Sequence, residues 1–216
     1  MAIRAVLFDA LFTLVAPRLP IYVQYSQTFE PYLGVLEPDL LKKSFKTALK
    51  QVQKEKPAYQ SGAEGWWGEV IKRTAVGAGA DPQAVDRSLD EIVPRLLHRF
   101  SSREGYKLYD DSIPTRASER APRTAREMFL RACARLGVQP SEAVHVGDEL
   151  PADYYGAEES GLDALLVRRP GTDGEGEAKE PDEDLSGVAV VSGLAQVVDW
   201  VHHKNAPSEN GKPSRV

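Results

Sequence analysis

Two short stretches hold the residues best suited to chemistry. Near the amino terminus, VLFDALFTL places Asp9 directly after an apolar run and Thr13 four residues later, with Ala10, Leu11 and Phe12 between them. Far along the chain, HVGDELPADYYGA places Asp148 after a second apolar run, with Gly147 before it and Asp153 following. Clustered carboxylates repel one another, and that repulsion is relieved by a cation or by a raised pKa. A hard divalent cation with oxygen ligands, Mg2+ foremost, suits such a cluster. An aspartate of ordinary pKa, about 3.9, is ionised at neutral pH, and an ionised carboxylate can attack a phosphorus or carbon centre directly.

The elements that must position these acids follow from local pattern. Residues 3–8 (IRAVLF) are short, apolar and β-prone, which reads as a buried parallel strand ending at Asp9. EAVHVGD is a second such strand, ending at Asp148, and Gly147 lets the backbone come close there. DALLVR (163–168) is a third, and GVAVVS (187–192) a fourth, followed by a helix near 193–203. TAREMFLRACARLGV is an amphipathic helix whose face carries Phe129, Ala132, Cys133 and Leu136, with Gly137 at its C′ position. Strands alternating with helices give an α/β fold with a doubly wound parallel sheet. Working residues in such sheets stand beyond the carboxyl ends of the strands, where Asp9 and Asp148 both fall.

Between the first strand and the rest, the pattern is helical throughout. Tyr22, Tyr25 and Phe29 form one apolar stripe, and Leu41, Phe45, Ala48, Leu49 and Val52 a second. Trp66, Trp67, Val70 and Ile71 form a third. Val85, Leu89, Ile92, Leu96 and Phe100 form a fourth, where Pro94 is expected to kink or split the helix. The resulting division is a discontinuous core over 1–16 and 104–203, an all-helical insert over 17–103, and a disordered tail over 204–216. The acid-rich stretch 170–186 reads as a solvated loop.

Composition narrows the function classes. The 216 residues are 42% hydrophobic and 27% charged, with a net charge of −5, which gives no footprint of a nucleic-acid surface. No apolar run is long enough for a membrane span, and no secretion signal is seen at the amino terminus. The single cysteine, Cys133, cannot pair within the chain, which agrees with a reducing compartment. The expected location is the cytoplasm, with the nucleus left open. His145 reads as a packed histidine, His202 and His203 as solvent-exposed, and Arg18 as a hinge ion-pair residue.

Asp9-Ala10-Leu11-Phe12-Thr13, together with Gly147-Asp148 and Asp153, resembles the first and fourth motifs of the haloacid dehalogenase (HAD) superfamily. FSSREGYKLYDD and HVGDELPADYYGAEESGLDALLVRR are similar to its eukaryotic haloacid dehalogenase-like hydrolase domain-containing group, so the resemblance covers most of residues 1–169. It implies a Rossmannoid core with the helical insert as a cap. It further implies Asp9 as nucleophile and a Mg2+ held by Asp9, the Leu11 carbonyl, Asp148 and Asp153. Thr13 would hold the transferred group or fix the loop, and the substrate would be a small phosphorylated or halogenated anion.

Two departures from that pattern have consequences. Leu11 stands where phosphatases of the family carry an aspartate as general acid, a contribution of about 10²- to 10⁴-fold. A halide or acyl phosphate leaves without that proton, whereas an alkoxide does not. In addition, no apolar strand is evident between KLYDD and TAREMFLRACARLGV, where the family places a strand ending in Ser or Thr, then a Lys. Ser112, Thr115 and Ser118 read as turn residues, and Arg123 stands near the place of the Lys. The core is therefore expected to be incomplete, with one edge of the first strand unpaired. The expected fold is marginal in stability. A catalytically inactive remnant that binds a metal or a partner is the alternative reading.

Overall fold

The computed structural model describes residues 2–56, 62–112, 125–169 and 183–206. It divides into two compact units, one formed by residues 1–16 and 108–216 and the other by 17–107.

The first unit is built on a four-stranded parallel sheet. Its strands are β1 (Ala5–Phe8), β4 (Ala143–Gly147), β5 (Asp163–Val167) and β6 (Val190–Val191), in the spatial order β1-β4-β5-β6. The register sets Ala5 beside Ala143 and Phe8 beside Val146, so β4 runs one residue past the end of β1. Alternation along each strand sorts side chains to two faces. Ala5, Leu7, Ala143, Ala164 and Leu166 pack with Phe129 and Cys133 of α5 (Ala125–Leu136) and Ala157 of α6 (Gly156–Glu159). Val6, Phe8, Val144, Val146, Leu165 and Val167 pack with Leu194 and Val197 of α7 (Leu194–Asn205). Helices thus cover both faces, as a doubly wound sheet requires. Helix α5 ends on Gly137 at φ +65°, where the Val138 N–H returns to the Cys133 carbonyl, the left-handed stop anticipated from sequence.

Among the described residues β1 has one strand neighbour, β4, and stands at the sheet edge. Every residue of β4 is buried, while every residue of β1 is only half-buried. Arg4 donates from its backbone to Glu142 on the β4 side, so the backbone of Ile3 faces the other way. There the Asn205 side chain stands in for a strand, accepting from the Ile3 N–H at 2.6 Å and donating to its carbonyl at 2.9 Å.

The second unit is helical. It contains α1 (Ile21–Leu33), α2 (Pro38–Glu55), α3 (Gly62–Gly77) and α4 (Pro82–Arg99). Proline opens α2 and α4, where a missing N–H costs nothing, and the Asp81 side chain caps α4 by accepting from Gln83 and Ala84. The anticipated stripes converge: Tyr25 and Phe29 meet Leu41, Ile71, Val85, Ile92 and Leu96 in one core. Trp66 and Val70 form a smaller core with Val52. A separate two-stranded sheet pairs β2 (Val15–Pro17) with β3 (Tyr106–Leu108).

Several local expectations need correction. Pro94 does not split its helix: both Pro94 and Asp90, whose carbonyl loses a donor, are exposed, so water satisfies that group while Ile92, Val93 and Leu96 keep both halves anchored. The fourth strand shrinks to Val190–Val191. The tail does not begin at 204, since α7 runs to Asn205, whose side chain is tied to Ile3. No helix of the described residues is long and apolar enough to cross a membrane.

Candidate functional site

Asp9 and Asp148 leave neighbouring strands at the same end of the sheet, each as the first residue beyond its strand. The Asp9 N–H still donates to Val146 at 2.9 Å, which pins the start of its loop to β4. Asp153 arrives from a π-type helical turn over Leu150–Tyr155. One carboxylate oxygen from each of Asp9, Asp148 and Asp153 can be chosen so that all lie within 4.8 Å of one another. Ligand oxygens facing each other across an octahedral Mg2+ are about 4.2 Å apart, from bonds of 2.0–2.1 Å. The cluster is therefore near the size of one ion, and its all-carboxylate donors are those a hard cation prefers. The residues fit such a group.

Electrostatics support the same fit. Burial raises the Asp148 carboxyl to about 7, and the charges of Asp9, Asp153 and Glu149 add to the rise. Burial likewise raises Asp9 to about 6, with Asp153 adding and the Ala10 N–H and His145 opposing. Without a cation, these two acids are held close to protonation at neutral pH.

Asp153 is fixed on both oxygens. Its Oδ1 meets His145 Nε2 at 2.9 Å, and its Oδ2 accepts from the Glu149 N–H at 2.9 Å. Its carboxyl lies against Gly147, where any Cβ would overlap the Asp153 side chain. Glycine is thus required there for space. His145 is buried and its ring packs on Phe129 at 4.6 Å, as a packed histidine should, and it also orients Asp153.

The loop after Asp9 is tightly wound. The Ala10 carbonyl accepts from both Leu14 and Val15, and the Phe12 N–H donates to Val15 at 2.7 Å. Phe12 sits at φ +59°, the left-handed region a bulky residue seldom occupies. That strain is spent on reversing the chain directly beside the acids. Leu11 lies within this turn, bridged to Val15. Thr13 is fully buried, and its hydroxyl has no hydrogen-bond partner among the described residues. A buried hydroxyl left unpaired costs about 1–3 kcal/mol.

Sequence reasoning gave no role to Arg168 and Arg169, which stand beside these loops. Arg168 Nη1 donates to the Asp148 carbonyl, and its Nη2 meets Glu183 at 2.6 Å. Arg169 Nη2 donates to the Thr13 carbonyl at 2.8 Å, and its Nη1 meets Asp111 at 3.0 Å. Burial would raise Asp111, but Arg169 and the Leu194 N–H outweigh it and hold that carboxyl below the usual range. Ser112, expected as a plain turn residue, donates to the Leu14 carbonyl at 2.8 Å and so helps to anchor the same loop. Arg123, Thr115 and Ser118 lie outside the described residues.

Comparison with known proteins gives three concordant findings. A family profile described as HAD-hydrolase-like matches residues 122–197. The chain is 24% identical to haloacid dehalogenase-like hydrolase domain-containing protein 3 of Danio rerio, over 77% of this chain and 86% of that one. A short stretch is 46% identical to glyceraldehyde 3-phosphate phosphatase of Methanopyrus kandleri, over 20% of this chain and 18% of the other. Among solved structures, a defluorinating L-2-haloacid dehalogenase superposes with a TM-score of 0.66 at 15% identity, covering 93% of this chain and 95% of that one. The 2-haloacid dehalogenase of Pseudomonas syringae pv. Tomato gives 0.58 at 20% identity, covering 94% and 100%. At such identities the solved structures bear on the fold alone.

Proposed function

The chain belongs to the haloacid dehalogenase-like hydrolase superfamily, and from that premise we propose a hydrolase in which Asp9 is the nucleophile and Mg2+ the cofactor. The observation that carries this reading is the convergence of Asp9, Asp148 and Asp153, from separate elements, within 4.8 Å. Asp9, Asp148, Asp153 and the Leu11 carbonyl would hold the ion. When bound, Mg2+ offsets the negative charge that the acids and an anionic substrate bring together.

The residues themselves do the rest. Asp9 attacks the substrate through a carboxylate oxygen, and the leaving group departs on the far side. Water then cleaves the acyl phosphate or ester on Asp9 and restores the carboxylate. Thr13, whose hydroxyl is unmatched among the described residues, is available to an oxygen of the transferred group. Leu11 has no proton to give, so substrates whose leaving group needs none are favoured: acyl phosphates and 2-halo acids ahead of simple phosphate monoesters. The substrate is a small anion. No nucleic acid or membrane partner is invoked, and the cytoplasm is the proposed location.

One observation favours a second reading, a catalytically inactive member that binds metal or a partner. Among the described residues, the basic group whose charge acts on Asp9 is His145, which is already committed to Asp153. Turnover of acetyl phosphate and p-nitrophenyl phosphate with Mg2+, for the chain and for Asp9→Asn, separates the two. The enzyme reading expects turnover that Asp9→Asn abolishes; equal rates leave only the binding reading.

A further inference from the structure

We infer that Arg168 and Arg169 are positioning residues which hold the two acid-bearing loops in register for one shared cation; this rests on the reading of Asp9 and Asp148 given above. The two residues are consecutive, directly beyond the carboxyl end of β5. Neighbouring side chains in extended backbone point in opposite directions, and here each reaches a different loop. Arg168 donates to the carbonyl of Asp148 itself. Arg169 crosses 156 residues of sequence to donate to the carbonyl of Thr13, at the far end of the turn that begins at Asp9.

Both guanidinium groups use a second prong on an outer acid. Arg168 meets Glu183 at 2.6 Å, and Arg169 meets Asp111 at 2.9 Å. The Arg169 group also lies 3.8 Å from the centre of the Tyr109 ring. A planar fork gripping a carbonyl and a carboxylate together is a task for arginine, since the compact ammonium of lysine cannot span both in fixed geometry. Arg169 does this although its Nε–H is buried without a partner among the described residues, so the group is not simply optimised for its own hydrogen bonding.

The carbonyls chosen are those that aim the acids. Fixing the Asp148 carbonyl fixes the backbone from which its carboxylate projects. Fixing the Thr13 carbonyl closes a turn that already holds Phe12 at φ +59°. The next carbonyl, that of Leu14, accepts from the Tyr109 N–H at 3.1 Å and the Ser112 hydroxyl at 2.8 Å. Asp111 links this anchor to α7 by accepting from the Leu194 N–H at 2.8 Å.

The test is Mg2+ titration calorimetry on the full chain, comparing wild type, Arg168→Lys, Arg169→Lys and Asp148→Asn, with thermal melting of each. Groups that orient metal ligands typically contribute 10- to 100-fold to metal affinity. Each lysine variant is expected to fold and to bind Mg2+ at least about 10-fold more weakly than wild type. Variants that melt lower but bind Mg2+ as wild type does would make the arginines merely structural and overturn the inference. So would failure of both lysine variants to fold, because the pair would then hold the whole core and not the loops. Wild type that binds no Mg2+, like Asp148→Asn, would sink the underlying reading and the inference with it, an outcome the wild-type titration identifies by itself.

Discussion

Replacing Asp148 by asparagine should stabilise the metal-free protein at neutral pH, against the usual tendency of substitutions at buried sites. Asp148 is buried among Asp9, Asp153 and Glu149, and its carboxyl is raised to about 7 from an ordinary 3.8. An acid whose folded pKa lies above its unfolded one keeps its proton longer in the native state. Native protein therefore binds more protons than unfolded chain between the two values, and stability falls as pH rises through that window. At pH 7.5 nearly the whole gap of about three pH units counts, or about 4 kcal/mol at 1.36 kcal/mol per unit. At pH 5 the same gap has cost less than about 2 kcal/mol. Asparagine carries no charge at either pH. The variant should gain several kcal/mol over wild type at pH 7.5 with chelator present, less the cost of seating an amide, and the advantage should shrink by more than half at pH 5. Saturating Mg2+ should reverse the order at pH 7.5, since an ion bound only by the native state stabilises it by mass action. Urea titrations at both pH values, with chelator and with Mg2+, supply the four comparisons. An advantage that is absent, or that grows as pH falls, would refute the argument that charge repulsion dominates at this site.

Other consequences can be checked separately. Leu11→Asp restores a proton donor in the loop after Asp9 and should raise turnover of an alkyl phosphate monoester, whose alkoxide leaves only with a proton, by about 10- to 100-fold, the lower part of the general-acid range, while acetyl phosphate turnover changes little. A uniform change on both substrates would remove the argument from leaving groups. Asn205→Ala strands the Ile3 N–H and carbonyl at the open edge of β1 and should cost about 1–2 kcal/mol by urea titration; no loss would mean that water replaces the amide freely. Because β1 has a strand neighbour on only one side among the described residues, the metal-free protein should melt below about 60 °C, inside the upper mesophile range. A cooperative transition above that temperature would contradict a marginal core.

The acids were legible before the fold because parallel sheets put polar residues at strand ends, and two apolar runs each ending in aspartate are a local signal. The four-helix insert was legible for the same reason: Leu41, Phe45, Ala48, Leu49 and Val52 repeat at helical spacing whatever surrounds them. What escaped was non-local. Arg168 and Arg169 act on backbone carbonyls of Asp148 and Thr13, and a carbonyl carries no residue identity for a pattern to detect. Asn205 resembled a polar tail residue, yet its amide happens to match one peptide's donor and acceptor. Pro94 was judged by the hydrogen bond it removes, although the exposed side on which it sits makes that loss mild. The left-handed Phe12 could not be anticipated, since its strain is set by the loop's closure and not by the residue's own preference.

The most direct test of the account is the stoichiometry of Mg2+ binding at neutral pH, measured by calorimetry on the wild type and on Asp9→Asn and Asp148→Asn singly. If one ion is shared by carboxylates from two strands, wild type binds a single Mg2+ and each substitution alone sharply weakens it. Binding that survives either substitution unchanged, or that is absent from the wild type, would contradict a shared centre.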